Sequence, residues 1–282
     1  RIDYANDTAT ASARGSLSST RTNHYAAGAQ ANAKQGAPTF IPRVRWVDSA
    51  AETPASTAGP NTGYWGGGYS GGGTSYVSRI DFDNDTATAT PKGPLTHNTW
   101  DGGMTGDSSY GRNGAGDAGP GGYLTTVDRI DYSNDTPTAT PKGPLSVARR
   151  GLGATGNLSY GYFWTGYNSS IVDRIDYSND TATASGLQPS QPGPGASGTG
   201  NTSYGYFNVG SSKSTIERID YSNDSASPSP KGSLTSSRTY AVATGNASYG
   251  YFGGNNQPVE SIVDRIDYAN DTATASARGS LS

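Results

Sequence analysis

Asp176, Asn179 and Asp180 crowd three oxygen-bearing side chains around a Ser-Asn-Asp turn, the donor type from which a Ca²⁺ loop is built. The trio returns as Asp3, Asn6, Asp7 and as Asp267, Asn270, Asp271. Calcium loops supply more ligands and a turn glycine, so a turn that bonds its own backbone is the favoured reading, and no metal or other cofactor is expected. Asp101 and Asp107 are the pair of carboxylates best placed in sequence for glycan hydrolysis. His24 and His97 are the only histidines, each beside an asparagine, and there is no cysteine. That excludes thiolate metal sites and disulfides and leaves no nucleophile–base pair to assemble. The glycine clusters end strands and do not open helices, which excludes a phosphate-cradling loop. The remaining candidates are aromatic. Trp46, Trp65, Trp100, Trp164 and Tyr167, with Asp101, lie in stretches that do not recur, where rings and a carboxylate suit a sugar.

What must position these residues is a repeat. Arg-Ile-Asp stands at Arg1, Arg79, Arg129, Arg174, Arg218 and Arg265, in steps of 78, 50, 45, 44 and 47 residues; steps near 45 suit propeller blades. Between anchors come "NLSYGYFWTG", "NTSYGYFNVG" and "NASYGYFGGN", with looser forms earlier, and after them "PKGPLTHNTW", "PKGPLSVARR" or "PKGSLTSSR". Each unit reads as four short strands: one after Pro-Leu, then "SYGYF", "VDRIDY" and "TATAS", with Ser-Asn-Asp turning the third into the fourth. The expected organisation is an all-β propeller of four-stranded blades, six by preference, with five and seven as alternatives. Residues 1–18 are the outer strand pair of a partial blade. Blades follow at 19–90, with an insertion at about 28–59, then at 91–140, 141–185, 186–229 and 230–276, and 277–282 start a further repeat. Residues 1–18 and 265–282 are identical, as in a recent duplication or a window of a longer array.

In a strand, alternate side chains share a face. Arg79 with Asp81, Arg129 with Asp131, Arg174 with Asp176, Arg218 with Asp220 and Arg265 with Asp267 are therefore expected to serve the seams between blades. Recurrence in every unit marks them as scaffold, and activity is sought in 28–59, 97–107, 113–123 and 163–168.

The order Pro-Leu, Arg, a tyrosine strand ending at glycines such as Gly253-Gly254, then a hydrophobic-Asp-Tyr strand resembles the kelch repeat over nearly the whole chain. Small Thr and Ala stand where the kelch fourth strand has tryptophan. The wording "VDRIDYSNDTATA" and "SYGYFGG" also resembles repeats in large structural proteins of marine bacteriophages, which implies an extracellular or virion setting. The chain has 20 basic and 23 acidic residues, an even balance with no footprint for nucleic acid, and no apolar run reaches the roughly 20 residues of a membrane span. The expected function is non-enzymatic: a structural and binding module of an extracellular or phage appendage, whose partners are other subunits, the rest of a longer chain, or a cell-surface glycan. A glycan hydrolase is the alternative.

Overall fold

The computed structural model describes residues 1–17, 30–31, 62–167, 169–187, 191, 193–256 and 259–281. They form five four-stranded antiparallel sheets arranged as the blades of a propeller. Blade one is β1 (Gln30–Ala31), β2 (Thr62–Gly66), β3 (Val77–Asp81) and β4 (Thr90–Lys92); blade two is β5 (Gly103–Gly106), β6 (Tyr110–Gly114), β7 (Val127–Asp131) and β8 (Thr140–Lys142). Blade three is β9 (Gly153–Gly156), β10 (Tyr160–Gly166), β11 (Ser169–Asp176) and β12 (Ser185–Gly186). Blade four is β13 (Ser197–Gly200), β14 (Tyr204–Asn208), β15 (Ile216–Asp220) and β16 (Ser229–Pro230), and blade five is β17 (Val242–Gly245), β18 (Tyr249–Asn256), β19 (Val259–Asp267) and β20 (Ser276–Arg278). Strand order in each sheet follows chain order. The first strands are innermost and neighbour one another from β5 through β9 and β13 to β17. Small residues are required there: a Cβ on Gly153 would come within 3.0 Å of the Ser197 carbonyl carbon. Between blades, Val127, Leu145, Leu152, Phe163 and Ile175 make one of several such cores, in which the Leu of Pro-Leu and the Phe of Tyr-Gly-Tyr-Phe meet the Ile of Arg-Ile-Asp.

Residues 1–12 repeat the outer half of a blade. Arg1 and Ser12 exchange backbone hydrogen bonds of 2.8 and 3.0 Å, the pairing that joins Arg79 to Thr90 and Arg265 to Ser276. This hairpin sits between blades five and one. Gly279 N–H donates to Asp7 O, and Gly15 N–H donates to Asp85 O, both at 2.8 Å.

One arrangement fastens all six junctions. The arginine of each Arg-Ile-Asp reaches the Asp of the next unit's Asn-Asp turn: Arg79 to Asp135 at 2.8 Å, Arg129 to Asp180 at 3.1 Å, Arg174 to Asp224, Arg218 to Asp271 and Arg265 to Asp7 at 2.7 Å, and Arg1 to Asp85 at 3.0 Å. At four of these the second tyrosine of Tyr-Gly-Tyr or its counterpart (Tyr64, Tyr162, Tyr206, Tyr251) donates its hydroxyl to the same carboxylate. Its ring stacks on Tyr132, Tyr221, Tyr268 or Tyr4 of the next unit. Burial and Asp135 push the Tyr64 phenol up to about 12. In blade two Arg112 replaces the tyrosine, donates to Asp180 at 3.1 Å and lies 3.9 Å over the Tyr177 ring. Burial pushes the Asp180 carboxyl up, but Arg112, Arg129 and Lys142 outweigh it and hold it below the ordinary value.

Two expectations need correcting. Asp81, Asp131, Asp176, Asp220 and Asp267 do not pair with the arginines at the seams. Each ends its strand and accepts the N–H two residues on, at 2.9 Å, because the chain leaves the sheet into a turn just there and the carboxylate caps it. The fourth strand is also shifted. It begins only at the last residue of "TATAS" or its variant, since the preceding alanines donate across the seam, Ala139 to Pro94 O and Ala184 to Pro144 O at 2.8 Å.

Candidate binding site

The innermost strands begin at one end of the ring, here called the mouth. Just before β5, β9, β13 and β17 stand Asp101, Gly151, Gly195 and Tyr240, all in the left-handed region with φ of 58, 67, 76 and 61°. Gly151 N–H donates to Asp101 O, Gly195 N–H to Gly151 O and Tyr240 N–H to Gly195 O at 2.8 to 3.0 Å, so these four residues form a collar. Glycine adopts such a backbone freely, but an aspartate or tyrosine does so at a cost of about 1–2 kcal/mol. Asp101 carries two costs, because it is 4% exposed and its Oδ1 has no hydrogen-bond partner among the described residues.

Around Asp101 lie residues from the stretches that do not repeat. Asp117 follows β6 and trades backbone hydrogen bonds with Trp100 at 2.8 and 3.1 Å. Its Oδ1 accepts Gly119 N–H and its Oδ2 accepts Arg150 Nη1, both at 2.8 Å. The Arg150 guanidinium lies 5.5 Å from the Tyr123 ring and 5.4 Å from the Tyr167 ring, and those rings meet edge to face at 5.9 Å. Trp100 meets Tyr69 edge to face at 5.3 Å. Burial pushes the Asp101 carboxyl up to about 7; Arg150 opposes the shift and Asp117 adds to it. The mouth thus gathers two carboxylates, one guanidinium and four aromatic rings, a set that can stack on a flat apolar face and hydrogen-bond hydroxyls.

Asp101 is a raised-pKa acid, so its unfolded form ionises near 3.8 and its folded form near 7. The stability of the neutral form is intact below pH 4 and is lost as pH rises to about 7. Asp101→Gly, which gives the collar the residue found at Gly151 and Gly195, is expected to stabilise the protein by about 2–4 kcal/mol at pH 8 and about 1 kcal/mol at pH 4. Urea denaturation at the two pH values checks this; equal gains at both would refute it.

Of the aromatic candidates, Trp100 and Tyr167 stand at the mouth with Asp101. Trp164 does not: it is fully buried and stacks on Phe207 at 4.1 Å, because the strand β10 runs through it before bulging between Trp164 and Gly166. Trp65 is half-buried within β2, opposite Ser78. Trp46 and His24 lie outside the described residues. Asp101 and Asp107 flank β5 at opposite ends, and Asp107 is engaged by the N–H groups of Ser109 and Tyr110 and by Arg112, so the carboxylate near Asp101 is Asp117. The Asp176, Asn179 and Asp180 oxygens do not converge. Asp176 caps its turn, Asn179 accepts the Thr181 hydroxyl, and Asp180 faces the seam. Asp117 and Tyr123 fall in the 113–123 stretch that the sequence marked without being named individually, whereas Arg150 and Tyr69 were not singled out. Lining up the units shows the signal for one of them: Arg150 falls where the others have Trp100 and Thr239.

No helix among the described residues is long and apolar enough to cross a membrane. No protein-family model matches the chain, and no curated protein matches it.

Proposed function

We propose that the chain is a structural and binding module of an extracellular or virion appendage, in which the repeated seams hold a ring and the mouth binds a glycan. The observation that carries this reading is the contrast between the two kinds of ionisable residue. Seam arginines, and the tyrosines Tyr64, Tyr162, Tyr206 and Tyr251, recur unit after unit and converge on a shared aspartate. Trp100, Asp101, Asp117, Tyr123, Arg150 and Tyr167 do not recur and gather at one end around a strained, buried carboxylate, which is the kind of position function retains against stability. The kelch-like order of motifs and the phage-like wording support the setting.

A glycan array read with the wild-type protein is expected to give a saccharide ligand. Trp100→Ala or Tyr167→Ala is expected to weaken that ligand about tenfold or more while leaving the melting temperature within a few degrees, since loss of a stacked ring costs about 1–2 kcal/mol. An empty array together with failure to bind subunits of an appendage would sink the proposal. Turnover of a polysaccharide, abolished by Asp101→Asn, would replace it with the hydrolase reading.

A further inference from the structure

Nine aspartates are buried among the described residues, and eight of them are held by a side-chain donor. Asp7, Asp117, Asp135, Asp180 and Asp224 accept from Arg265, Arg150, Arg79, Arg112 and Arg174. Asp173 and Asp264 accept from Arg149 and Arg238, and Asp128 from the Thr96 hydroxyl. Asp101 is the exception, left-handed in its backbone and with Oδ1 buried and unpartnered among the described residues. The other charges of the mouth do not make up the lack. Arg150 and Asp117 act on the Asp101 carboxyl in opposite directions. The Arg150 guanidinium is committed to Asp117 Oδ2 at 2.8 Å and lies against the Tyr123 and Tyr167 rings. Asp117 Oδ1 takes the Gly119 N–H. Tyr123, Tyr167 and Tyr240 are the remaining titratable groups around Arg150, and a phenol supplies no positive charge. With Asp101 ionised, this cluster therefore holds two negative charges against one positive.

We propose that the saccharide bound at the mouth carries a protonated amine, and that this amine is the missing partner of Asp101; the proposal rests on the reading of the mouth as a glycan site. An ammonium brings both things the carboxylate lacks, an N–H donor and a positive charge. A sugar hydroxyl brings only the donor, and an acidic sugar would set a third negative charge beside Asp101 and Asp117. The mouth already contains one such arrangement, in which Asp117, Tyr123 and Tyr167 surround the Arg150 cation. Asp101 and the neighbouring Trp100 supply a second carboxylate and ring, and a cation is attracted to the face of a tryptophan. The ligand class is a polysaccharide whose amino groups are free of acetyl. A dependence on pH comes with it. Burial pushes the Asp101 carboxyl up to about 7, and the ammonium pairs only with the ionised form. Affinity for the amine is therefore high near neutrality and is lost as pH falls and the carboxyl takes up its proton.

The test is titration calorimetry of the full chain with short oligomers of glucosamine, N-acetylglucosamine, glucose and glucuronic acid that share one linkage and one length. Near pH 7 the glucosamine oligomer is expected to bind about tenfold or more tighter than the N-acetyl and glucose oligomers, with the glucuronic acid oligomer weakest. Asp101→Asn keeps the shape of the side chain and removes its charge, so the ratio of glucosamine to glucose affinity is expected to fall to within about twofold. Asp101→Gly, the change expected to stabilise the protein, should flatten the ratio equally, so that a failure to fold cannot account for the loss. Between about pH 7 and about pH 5.5 the glucosamine affinity is expected to drop about tenfold, while that for glucose stays within about twofold. Glucose bound as tightly as glucosamine, or a glucosamine preference that survives in both variants, overturns the proposal and leaves the glycan reading standing. Binding of none of the oligomers also overturns it, and the glycan array then decides the wider reading on its own.

Discussion

Gly143→Ala is expected to destabilise the protein by about 3–4 kcal/mol, lowering both the urea midpoint and the melting temperature. Gly143 follows the outer strand of blade two, and its N–H donates to Asp180 O at 2.8 Å, so two backbones lie against each other at the seam. A Cβ there would sit 1.8 Å from the Ala182 carbonyl oxygen. Neither partner is a flexible side-chain tip, so the added methyl must push the blades apart along a line that also carries the Asp180 cluster of Arg112, Arg129 and Lys142. The same contact recurs at Gly93, Gly232, Gly279 and Gly15, where a Cβ would meet a backbone oxygen at 1.6 to 1.8 Å; the glycine of Pro-Lys-Gly at three junctions and of Ala-Arg-Gly at two is thus fixed by sterics. Gly186→Ala is the control. A Cβ there meets only Ile171 Cγ2 at 3.6 Å and Ser146 Oγ at 3.7 Å, and a loss within about 0.5 kcal/mol is expected. Equal losses at the two positions would show that the close approach is not what fixes glycine here, since the chain-entropy effect of Gly→Ala is itself stabilising.

Arg149→Met is expected to cost about 3–5 kcal/mol, the range for removing one partner of a buried ion pair. Arg149 and Asp173 are both fully buried and bonded at 2.8 Å. The guanidinium also donates to Val147 O and Phe163 O, so its loss strands two carbonyls besides the carboxylate. Arg238 repeats the device, bonding Asp264 at 2.7 Å together with Gly254 O and Ile262 O. Blade two indicates why the cost stays finite. Thr99 stands in the arginine's place, and Asp128 is held by the Thr96 N–H and hydroxyl at 2.8 and 2.6 Å, the counterpart of Ser146 on Asp173. Adding Asp173→Asn to Arg149→Met is accordingly expected to restore about 1–2 kcal/mol, because the group left behind is then neutral. Chemical denaturation of the two single variants and the double variant measures the coupling; simple additivity would mean that Arg149 acts through packing alone.

The repeat made the blades legible. Six Arg-Ile-Asp anchors at propeller spacing and an invariant order of motifs place every second and third strand, because these are the strands whose alternation is set by burial on two faces. The fourth strand was misplaced for a physical reason: "TATA" alternates like a strand, but its alanines donate to the preceding unit and not to their own sheet. The seam arginines were legible, whereas their partners were not. An Asp two residues away shares a strand face on paper, yet the strand ends at that residue, and the carboxylate that answers the arginine is some fifty residues on, as Asp224 is for Arg174. The mouth was half legible. Trp100, Asp101 and Tyr167 stood out as departures from the repeat. Asp117 and Arg150 join them only through the curvature of the ring, which brings the loop after β6 against the residues before β9, and Trp164 looked like a loop residue because "WTG" erodes the glycine pair that ends the strand elsewhere.

The six junctions differ in how much chain they enclose. Arg79–Asp135, Arg129–Asp180, Arg174–Asp224 and Arg218–Asp271 link residues 50 to 56 apart, whereas Arg265 and Asp7 are separated by 258. On loop-closure entropy alone that last link is harder to form by about 1.4 kcal/mol, and Arg265, Tyr251, Arg278 and Tyr4 are the residues set against the deficit. Folding is therefore expected to run along the chain as a succession of similar, short-range dockings and to finish with one slow, long-range event. Amide exchange of Gly279 and Ala11, whose N–H groups donate to Asp7 O and Ser280 O across that junction, reads how often the finished ring comes open.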